Sequence, residues 1–377
     1  RVLFRSELLE TNLSYNPNGF DVSSLYMDDG YLFFHADPVE VLVENDSIDL
    51  QIRIREGKQA RLSNVGVKGN TKTNDHVVIR ELRTRPGQMF SRDLVIRTTR
   101  ELANLKYFNA ETINPDVKPN MADGTVDIDY NVEETSADQI ELSGGWGYGR
   151  VIGTLGLSFN NFSARNFFKK EAWRPIPSGD GQKLAIRFQT YGKGYMNYSA
   201  SFTEPWLGGK KPTSLTVSIF HSLYSNGLAK SDTNRAAFTI NGLTFGIGKR
   251  LRVPDDYFTL YHGLNLMRYM LNNYSSIFQV GTGTGIFNVY SYNLVFGRNS
   301  ISQPIYPRSG SDVSLSLEAT LPYSLMNNKD YTKLDENEKY KMVEYYKWKF
   351  SGSFYAEVFN KFVLSTRMKF GYLGYYN

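Results

Sequence analysis

Apolar and polar side chains alternate strictly along the second part of the chain. In residues 312–322 polar side chains separate the apolar positions, which are Val313, Leu315, Leu317, Ala319 and Leu321. Because successive side chains of a β-strand point to opposite faces, this segment predicts a strand with one apolar and one polar face. The same period recurs from residue 137 to residue 377, whereas the residues before it mix helical and strand periods.

Eleven amphipathic strands are predicted in this part of the chain. Their approximate spans are 138–148, 151–163, 182–192, 195–206, 213–225, 235–249, 256–271, 283–297, 311–322, 346–358 and 362–375. Amphipathic strands that follow one another without helices are typical of an outer-membrane β-barrel. Charged residues such as Lys183 and Arg187 share one face, which should line a lumen because it cannot meet lipid at mid-membrane. An open sheet leaves backbone groups unpaired in lipid, so closure requires further strands.

Composition agrees with strands rather than helices as the membrane-spanning elements. Hydrophobic residues make up 41% of the 377 residues and the mean hydropathy is −0.40, so no segment predicts a transmembrane helix. The chain carries 26 Tyr, 24 Phe and 4 Trp, and amphipathic aromatic side chains collect at lipid–water boundaries. A soluble, aromatic-rich β-sandwich is the alternative. The net charge of +5 is scattered along the chain, which argues against nucleic acid as a partner.

Residues 59–136 predict one complete α+β module in the order strand, helix, helix, strand, strand. Asn74 and Ser91 stand at helix starts, and a turn at 122–124 joins the last two strands. Residues 1–58 repeat only the second half of this order, with a short helix near 21–27 followed by two strands. We therefore expect a partial copy at 1–58, a complete copy at 59–136 and the strand-rich domain at 137–377.

The sequence predicts neither catalysis nor a cofactor. Cysteine is absent, and the four histidines are scattered, although metal sites require clustered ligands. No nucleophile motif such as G-x-S-x-G occurs. The acidic pair Glu133 and Glu134, which stands where the module meets the strands, is expected to be solvated. We therefore expect a protein that is not an enzyme and binds no metal.

Two sets of residues resemble known proteins. The first set resembles the POTRA module and consists of Val67, Gly69, Asn70, Leu82, Gly87 and Phe108. The second set resembles barrel landmarks of the BamA family and consists of Glu204, Pro205, Trp206, Arg298, Pro307 and Gly310. Each of these short motifs has a purely structural interpretation, since Pro205 and Pro307 can simply end strands. Together the resemblance covers nearly the whole chain.

The resemblance to the BamA family implies the fold and the location of the protein. It implies α+β POTRA modules in the periplasm, followed by an all-β antiparallel barrel in the outer membrane of a Gram-negative cell. The barrel would have sixteen strands, of which about eleven lie in this chain, so we expect truncation at both ends. The family's Arg-Gly-aromatic loop motif is absent, because the chain stops at Asn377. A long insert at 165–181 replaces a short loop and is expected to contact something outside the cell.

The resemblance also implies a function and its partners. Members of the family fold and insert β-barrel clients into the outer membrane without ATP. The implied partners are unfolded outer-membrane β-barrel clients, accessory assembly lipoproteins, periplasmic chaperones and outer-membrane lipid. An alternative is a POTRA-barrel pore that secretes a partner protein through its lumen. More than two POTRA modules upstream would favour assembly and only two would favour secretion, whereas a passive porin needs no POTRA module at all.

The first predicted strand of the barrel holds the candidate functional site. Four glycines lie within residues 144–149, and glycine contributes no side chain to cross-strand pairing. We expect a weak lateral seam that opens and offers an edge to a client strand. The residues assigned to this template are Ile140, Leu142, Gly144, Gly145, Trp146 and Gly147. The alternative is that the glycines only fit the curvature of a barrel.

Overall fold

A computed structural model gives the fold of the chain. It describes residues 13, 21–44, 47–136, 138–147, 150–173, 175–255, 257–274, 283–302, 306–327, 329–359 and 362–376. The predicted partial module at 1–58 thus falls partly outside the described residues. The chain divides into two compact units. The first comprises residues 1–137 and 163–180, and the second comprises residues 138–162 and 181–377.

The complete module of the first unit contains three strands and two helices. They are β3 (Arg61–Lys68), α2 (Asp75–Ile79), α3 (Arg92–Asn104), β4 (Asn114–Asn120) and β5 (Thr125–Asn131). The sheet order is β3-β5-β4, with β3 parallel and β4 antiparallel to the central strand. Ser91 caps α3 by accepting a 3.3 Å hydrogen bond from the Leu94 amide. The predicted element order is confirmed, although α2 ends earlier than the 76–82 pattern suggested.

The core of the module lies against the central strand. Val126, Ile128 and Tyr130 are fully buried, and polar residues of β5 alternate with them. Leu102 of α3 and Val78 of α2 belong to the same buried cluster. Burial of each such side chain stabilises the fold by about 1.5–3 kcal/mol. The phenol group of Tyr130 is satisfied within this core by the hydroxyl of Thr84, 3.0 Å away.

A short helix and a hairpin precede the module. They are α1 (Val22–Asp28), β1 (His35–Glu44) and β2 (Ser47–Arg55). Asp21 caps α1 because its side chain accepts a hydrogen bond from the Ser24 amide at 2.7 Å. The two strands pair in antiparallel fashion as a separate two-stranded sheet. This order, helix then two strands, matches the second half of the complete module.

The insert at 165–181 does not lie where the sequence analysis expected. Residues 163–180 belong to the first unit and contact the start of α2. The Asn74 amide group donates to Gly179 O (3.0 Å) and to the Asp180 carboxylate (2.9 Å). That nearly buried carboxylate also accepts bonds from Ser163 Oγ (2.5 Å) and Arg165 (2.8 Å). The expectation of an extracellular contact is therefore wrong, because residues 163–180 pack on the α+β module of the first unit.

The second unit is one antiparallel sheet of eleven strands whose order follows the sequence. The strands are β6 (Gln139–Gly147), β7 (Arg150–Phe162), β8 (Gln182–Tyr191), β9 (Tyr195–Glu204), β10 (Thr213–Ser225), β11 (Ala237–Arg250), β12 (Phe258–Asn272), β13 (Gly285–Asn299), β14 (Gly310–Thr320), β15 (Tyr346–Phe359) and β16 (Phe362–Gly374). Each strand pairs with its neighbours in sequence, so β6 and β16 form the two edges. The predicted fold class is confirmed.

The register gives the sheet an apolar face and a polar face. Residues that oppose each other across an antiparallel ladder lie on the same face. Leu315 opposes Phe296 and Leu317 opposes Leu294, and these rows form the apolar face. On the polar face the carboxylate of Glu318 lies 2.8 Å from Lys347 Nζ. The alternating sequence pattern thus translates directly into two chemically distinct surfaces.

Connections leave the sheet at two ends. We call the end at which β6 begins the proximal end and the opposite one the distal end. The distal connection at 321–345 contains two short helices that the sequence pattern did not predict, α4 (Tyr323–Met326) and α5 (Glu336–Lys339). Among the residues that the structure describes, helices long and apolar enough to cross a membrane do not occur.

Candidate functional site

Strand β6 is an edge strand that presents apolar side chains. It pairs with β7 on one side, and the sheet order places no second partner beside it among the described residues. Ile140, Leu142 and Trp146 are 75%, 79% and 74% exposed and share one face with Gly144. Gly145 and Gly147 alternate with them and belong to the other face. The structure therefore brings four of the six predicted template residues together on the apolar face.

The described neighbours of β6 do not require its glycines by close packing. A Cβ atom at Gly145 would meet nothing within 4 Å, and one at Gly144 would meet only Ile152 O at 3.9 Å. Neither residue has the positive φ angle that favours glycine. Residues 148–149, which complete the glycine-rich stretch, lie outside the described residues. Around Gly144 and Gly145, crowding by neighbouring atoms therefore does not explain the absence of side chains.

The POTRA-like residues build the module rather than a binding surface. Leu82 and Phe108 are buried in the core, and Val67 packs against it. Gly69 has φ of +101°, and a Cβ atom there would lie 1.9 Å from Val132 O. Gly87 also has a positive φ, +84°, and its amide donates to Leu62 O at 2.7 Å. These four positions and Val67 hold the fold of the module together.

The loop after β3 is closed by side-chain hydrogen bonds. The Asn70 amide group donates to Thr73 O (3.0 Å) and to the Asp75 carboxylate (2.7 Å). The Glu134 carboxylate accepts bonds from Thr71 Oγ1 (2.8 Å) and from the amides of residues 72 (2.8 Å) and 73 (2.7 Å). The prediction that Glu134 is simply solvated is therefore wrong, because the loop at 71–73 folds back onto it. Glu133 is exposed.

The Glu134 carboxylate should make the stability of this loop pH-dependent. Partial burial raises the pKa of Glu134, but hydrogen bonds from Thr73, Thr71 and two backbone amides outweigh it and hold the pKa below its usual value. A carboxylate whose pKa is lower in the folded than in the unfolded protein stabilises the fold at pH values above its unfolded pKa. This stabilisation is lost as the pH falls through the folded pKa. We expect the protection of amides 71–73 from hydrogen exchange, relative to their intrinsic rates at each pH, to fall on acidification below the ordinary value of 4.5.

A matched pair of variants isolates this contribution. Glu134→Gln should lower the local free energy of unfolding by about 1 kcal/mol at neutral pH and remove the acid-dependent step. Glu133→Gln, which neutralises an exposed neighbour, should leave both quantities unchanged. Equal effects of the two variants on exchange at residues 71–73 would contradict the conclusion that the Glu134 carboxylate stabilises this loop.

The landmarks after β9 stabilise a turn at the proximal end. The Glu204 carboxylate accepts the Trp206 amide at 2.9 Å and the Gln182 side-chain amide at 2.8 Å. Pro205 ends the strand as its missing N–H predicts. Trp206 O then accepts the Gly209 amide at 2.7 Å to close the turn. These residues fix the β9–β10 connection.

Arg298 organises a second group at the proximal end. Its Nε and Nη2 atoms donate to Asp255 Oδ2 at 3.1 and 2.9 Å, and Nη1 donates to Ser300 Oγ and Ser311 Oγ at 2.8 and 2.9 Å. Gly310 has φ of +102°, and a Cβ atom there would lie 2.2 Å from Ser300 O, so only glycine fits. Pro307 belongs to the same connection, 300–309. This group holds the β13–β14 connection against β12.

The predicted residues thus form three separate groups: the edge strand β6, the module framework and the proximal turns. Sequence reasoning missed Asp255 and Asp180, which complete two hydrogen-bond networks. Neither lies in a recognisable motif, and each finds its partners far away in sequence. Within the described parts of the chain, no group of three or more His, Cys, Asp or Glu residues could hold a metal ion.

Two family models match the chain. Residues 60–135 match the POTRA model, described as a surface antigen variable number repeat. Residues 178–377 match the Omp85 superfamily domain, which covers more than half of the chain.

Curated relatives cover much of this chain but little of their own length. The outer membrane protein assembly factor BamA of Neisseria meningitidis is 26% identical over 299 residues, which are 74% of this chain and 34% of that protein. The BamA of Nitratidesulfovibrio vulgaris is 29% identical over 186 residues, 49% of this chain and 21% of that protein. The chain therefore spans about a third or less of these two relatives.

Solved structures share the fold. BamA from Haemophilus ducreyi lacking POTRA domains 1–3 matches with a TM-score of 0.57 at 19% identity, over 94% of this chain and 63% of that one. CdiB from Escherichia coli matches with a TM-score of 0.52 at 14% identity, over 93% of this chain and 60% of that one.

The sheet lies in the outer membrane of a Gram-negative cell and the POTRA region lies in the periplasm. With its POTRA module followed by an amphipathic antiparallel sheet, the chain belongs to the Omp85 superfamily.

Proposed function

We propose that the protein folds and inserts β-barrel clients into the outer membrane, and that β6 is the template on which the client's last strand pairs. The observation that carries this proposal is the glycine-rich stretch of β6, where no described neighbour requires Gly144 or Gly145 to lack a side chain. Once a seam at this strand opens, its unpaired edge is a ready acceptor for another strand. Pairing with the client supplies the free energy locally, so the reaction proceeds without ATP.

The apolar row that the structure describes on β6 is short. It runs from Ile140 to Trp146, a spacing of six residues or about 20 Å of strand, which a tilt near 45° reduces to ~15 Å across the membrane. Residue 148, the next position of this row, lies outside the described residues. A barrel wall normally carries an apolar band of about 25 Å. A short band favours local thinning of the bilayer, which lowers the barrier to client insertion.

The POTRA module supplies docking rather than catalysis in this proposal. Strand addition is one way for such a module to hold an unfolded client. Edge strand β4, however, contains Pro115 and Pro119, which lack the N–H donors that an added strand requires. We therefore place client and lipoprotein contacts on other surfaces of the POTRA region. Periplasmic chaperones would deliver clients to the same region.

A secretion pore is the second candidate. Its substrate would cross the lumen instead of leaving through the edge at β6. The fold match to CdiB is nearly as good as the match to BamA, so overall fold does not distinguish the two functions. The position at which a substrate contacts the sheet does distinguish them.

Site-specific crosslinking in membranes tests the proposal. Single cysteines are placed at positions 140–146 of the full-length protein, and residues 1–377 contain no other cysteine. A second cysteine is placed in the last strand of a stalled client barrel. We expect disulfides only at matched positions along β6, since pairing fixes the register.

The matched control carries single cysteines at positions 215–219 of β10, which has a strand on each side. This strand should give no client crosslink. Crosslinks confined to the polar face of the sheet, without any register along β6, would instead support the secretion pore.

A further inference from the structure

The apolar face contains a groove near its proximal end. The groove has a volume of about 340 Å³ and lies across β12, β13, β14 and β15. Its lining residues are Phe258, Phe296, Arg298, Ser311, Val313, Leu315 and Phe354. The volume falls in the range of roughly 300–1,000 Å³ that is usual for small-molecule sites. Because the lining belongs to the apolar face, the groove opens toward lipid.

A glycine of β15 stands close to this groove. Gly352 opposes Val313, which is one of the lining residues, and so belongs to the apolar face. It stands between two rings, and a Cβ atom there would already lie 3.2 Å from Phe354 and 3.3 Å from Phe350. The two rings thus pack over the glycine beside Val313. Five of the seven residues that line the groove are apolar, so the lining suits a hydrocarbon chain.

Both signs of charge stand at the rim of the groove. The Arg298 guanidinium has five N–H donors, of which Asp255, Ser300 and Ser311 take four. Among the described residues, one N–H of Nη2 has no acceptor and can donate to an anionic oxygen. Asp255 Oδ1 accepts the Tyr257 amide at 3.0 Å and, like Oδ2, has capacity for a further donor. The Tyr257 and Phe258 rings flank the guanidinium, 5.7 and 5.6 Å from its carbon.

We propose that this groove binds one phosphatidylethanolamine molecule of the periplasmic leaflet. One acyl chain fills the apolar groove, the lipid phosphate accepts the free N–H of Arg298, and the lipid ammonium donates to Asp255. The groove lies at the depth of the periplasmic leaflet, because the proximal end is the periplasmic end of the sheet. Phospholipids form that leaflet of the outer membrane. An anionic headgroup without an amine would meet the Asp255 carboxylate unfavourably, and a choline headgroup has no N–H to donate. The site is independent of client assembly at β6.

Native mass spectrometry of the full-length protein tests the site. The protein is released from nanodiscs that contain equal amounts of phosphatidylethanolamine, phosphatidylglycerol and phosphatidylcholine, and the retained lipid is counted. We expect one phosphatidylethanolamine to be retained with about tenfold preference over the other two, the effect of one charge-assisted hydrogen bond. Asp255→Asn should remove this preference and shift retention toward phosphatidylglycerol, since Arg298 keeps its charge.

A second pair of variants tests the groove itself. Val313→Phe fills it and should abolish retention. Val217→Phe makes the same substitution on the same face of β10, outside the groove, and should leave retention unchanged. Unchanged retention in Val313→Phe, or equal retention of the three lipids by the unaltered protein, would overturn the proposal. None of these readouts depends on assembly activity.

Discussion

Simultaneous replacement of Gly144, Gly145 and Gly147 by Val is expected to reduce the rate of client assembly by about tenfold or more. A β-branched residue is favoured over glycine in a strand by about 0.5–1 kcal/mol, so three replacements strengthen the pairing of β6 by roughly 1.5–3 kcal/mol. Opening of the seam must precede pairing with a client. A seam that is stabilised by this amount opens about ten to a hundred times less often.

The measurement is the rate at which the full-length protein in liposomes folds an added client barrel, with no nucleotide present. Gly371→Val in β16 is the matched control, because a Cβ atom there also has open space, with Trp348 O at 3.9 Å as its nearest contact. We expect near-normal rates for the control. If the triple variant assembles clients as fast as the unaltered protein, the seam does not depend on these glycines.

Gly69→Ala should destabilise the POTRA module more than the same substitution at Gly87. A Cβ atom at this position would collide with Val132 O at 1.9 Å, and φ is +101°. The positive φ alone costs about 1–2 kcal/mol for an alanine. To avoid the collision, β3 must move away from the segment after β5, and packing between them is lost. We therefore expect the free energy of unfolding to fall by about 3–5 kcal/mol in total.

Gly87→Ala provides the comparison, because φ is +84° but nothing lies within 4 Å of the added atom. This substitution should lower the free energy of unfolding only by the backbone strain at positive φ, about 1–2 kcal/mol. Hydrogen exchange of the β5 amides in the full-length protein measures both values. Equal losses of stability in the two variants would show that the collision with Val132 does not contribute to the destabilisation.

Much of the fold could be predicted because the information is local. Each predicted strand of the sheet agrees with the structure to within two residues at either end. The period of two marks a strand without reference to any other part of the chain. The helix α3 was likewise visible from Ser91 and the apolar spacing after it. Its end was less visible, since the chain leaves the helix at Asn104 and Lys106 takes a φ of +63°.

The candidate site was predictable only in part. The glycines of β6 stand out in the sequence, but whether packing requires them depends on neighbours such as Ile152, which the sequence does not identify as neighbours. The roles of Glu134 and of the insert were wrong for the same reason. Glu134 receives hydrogen bonds from residues 71–73, some sixty positions earlier, and Asp180 receives one from Asn74, 106 positions earlier.

The sequence by itself determined the change from an α+β module to an all-strand region, the strand boundaries and the division of side chains between two faces. These follow from backbone geometry, which repeats every two residues in a strand and every 3.6 residues in a helix. Only the tertiary structure decided that Arg298 pairs with Asp255, that residues 163–180 pack on the module and that a groove opens beside Gly352. Those features depend on the register of strands and on contacts between distant segments, and pairings of that kind leave no periodic signal in the chain.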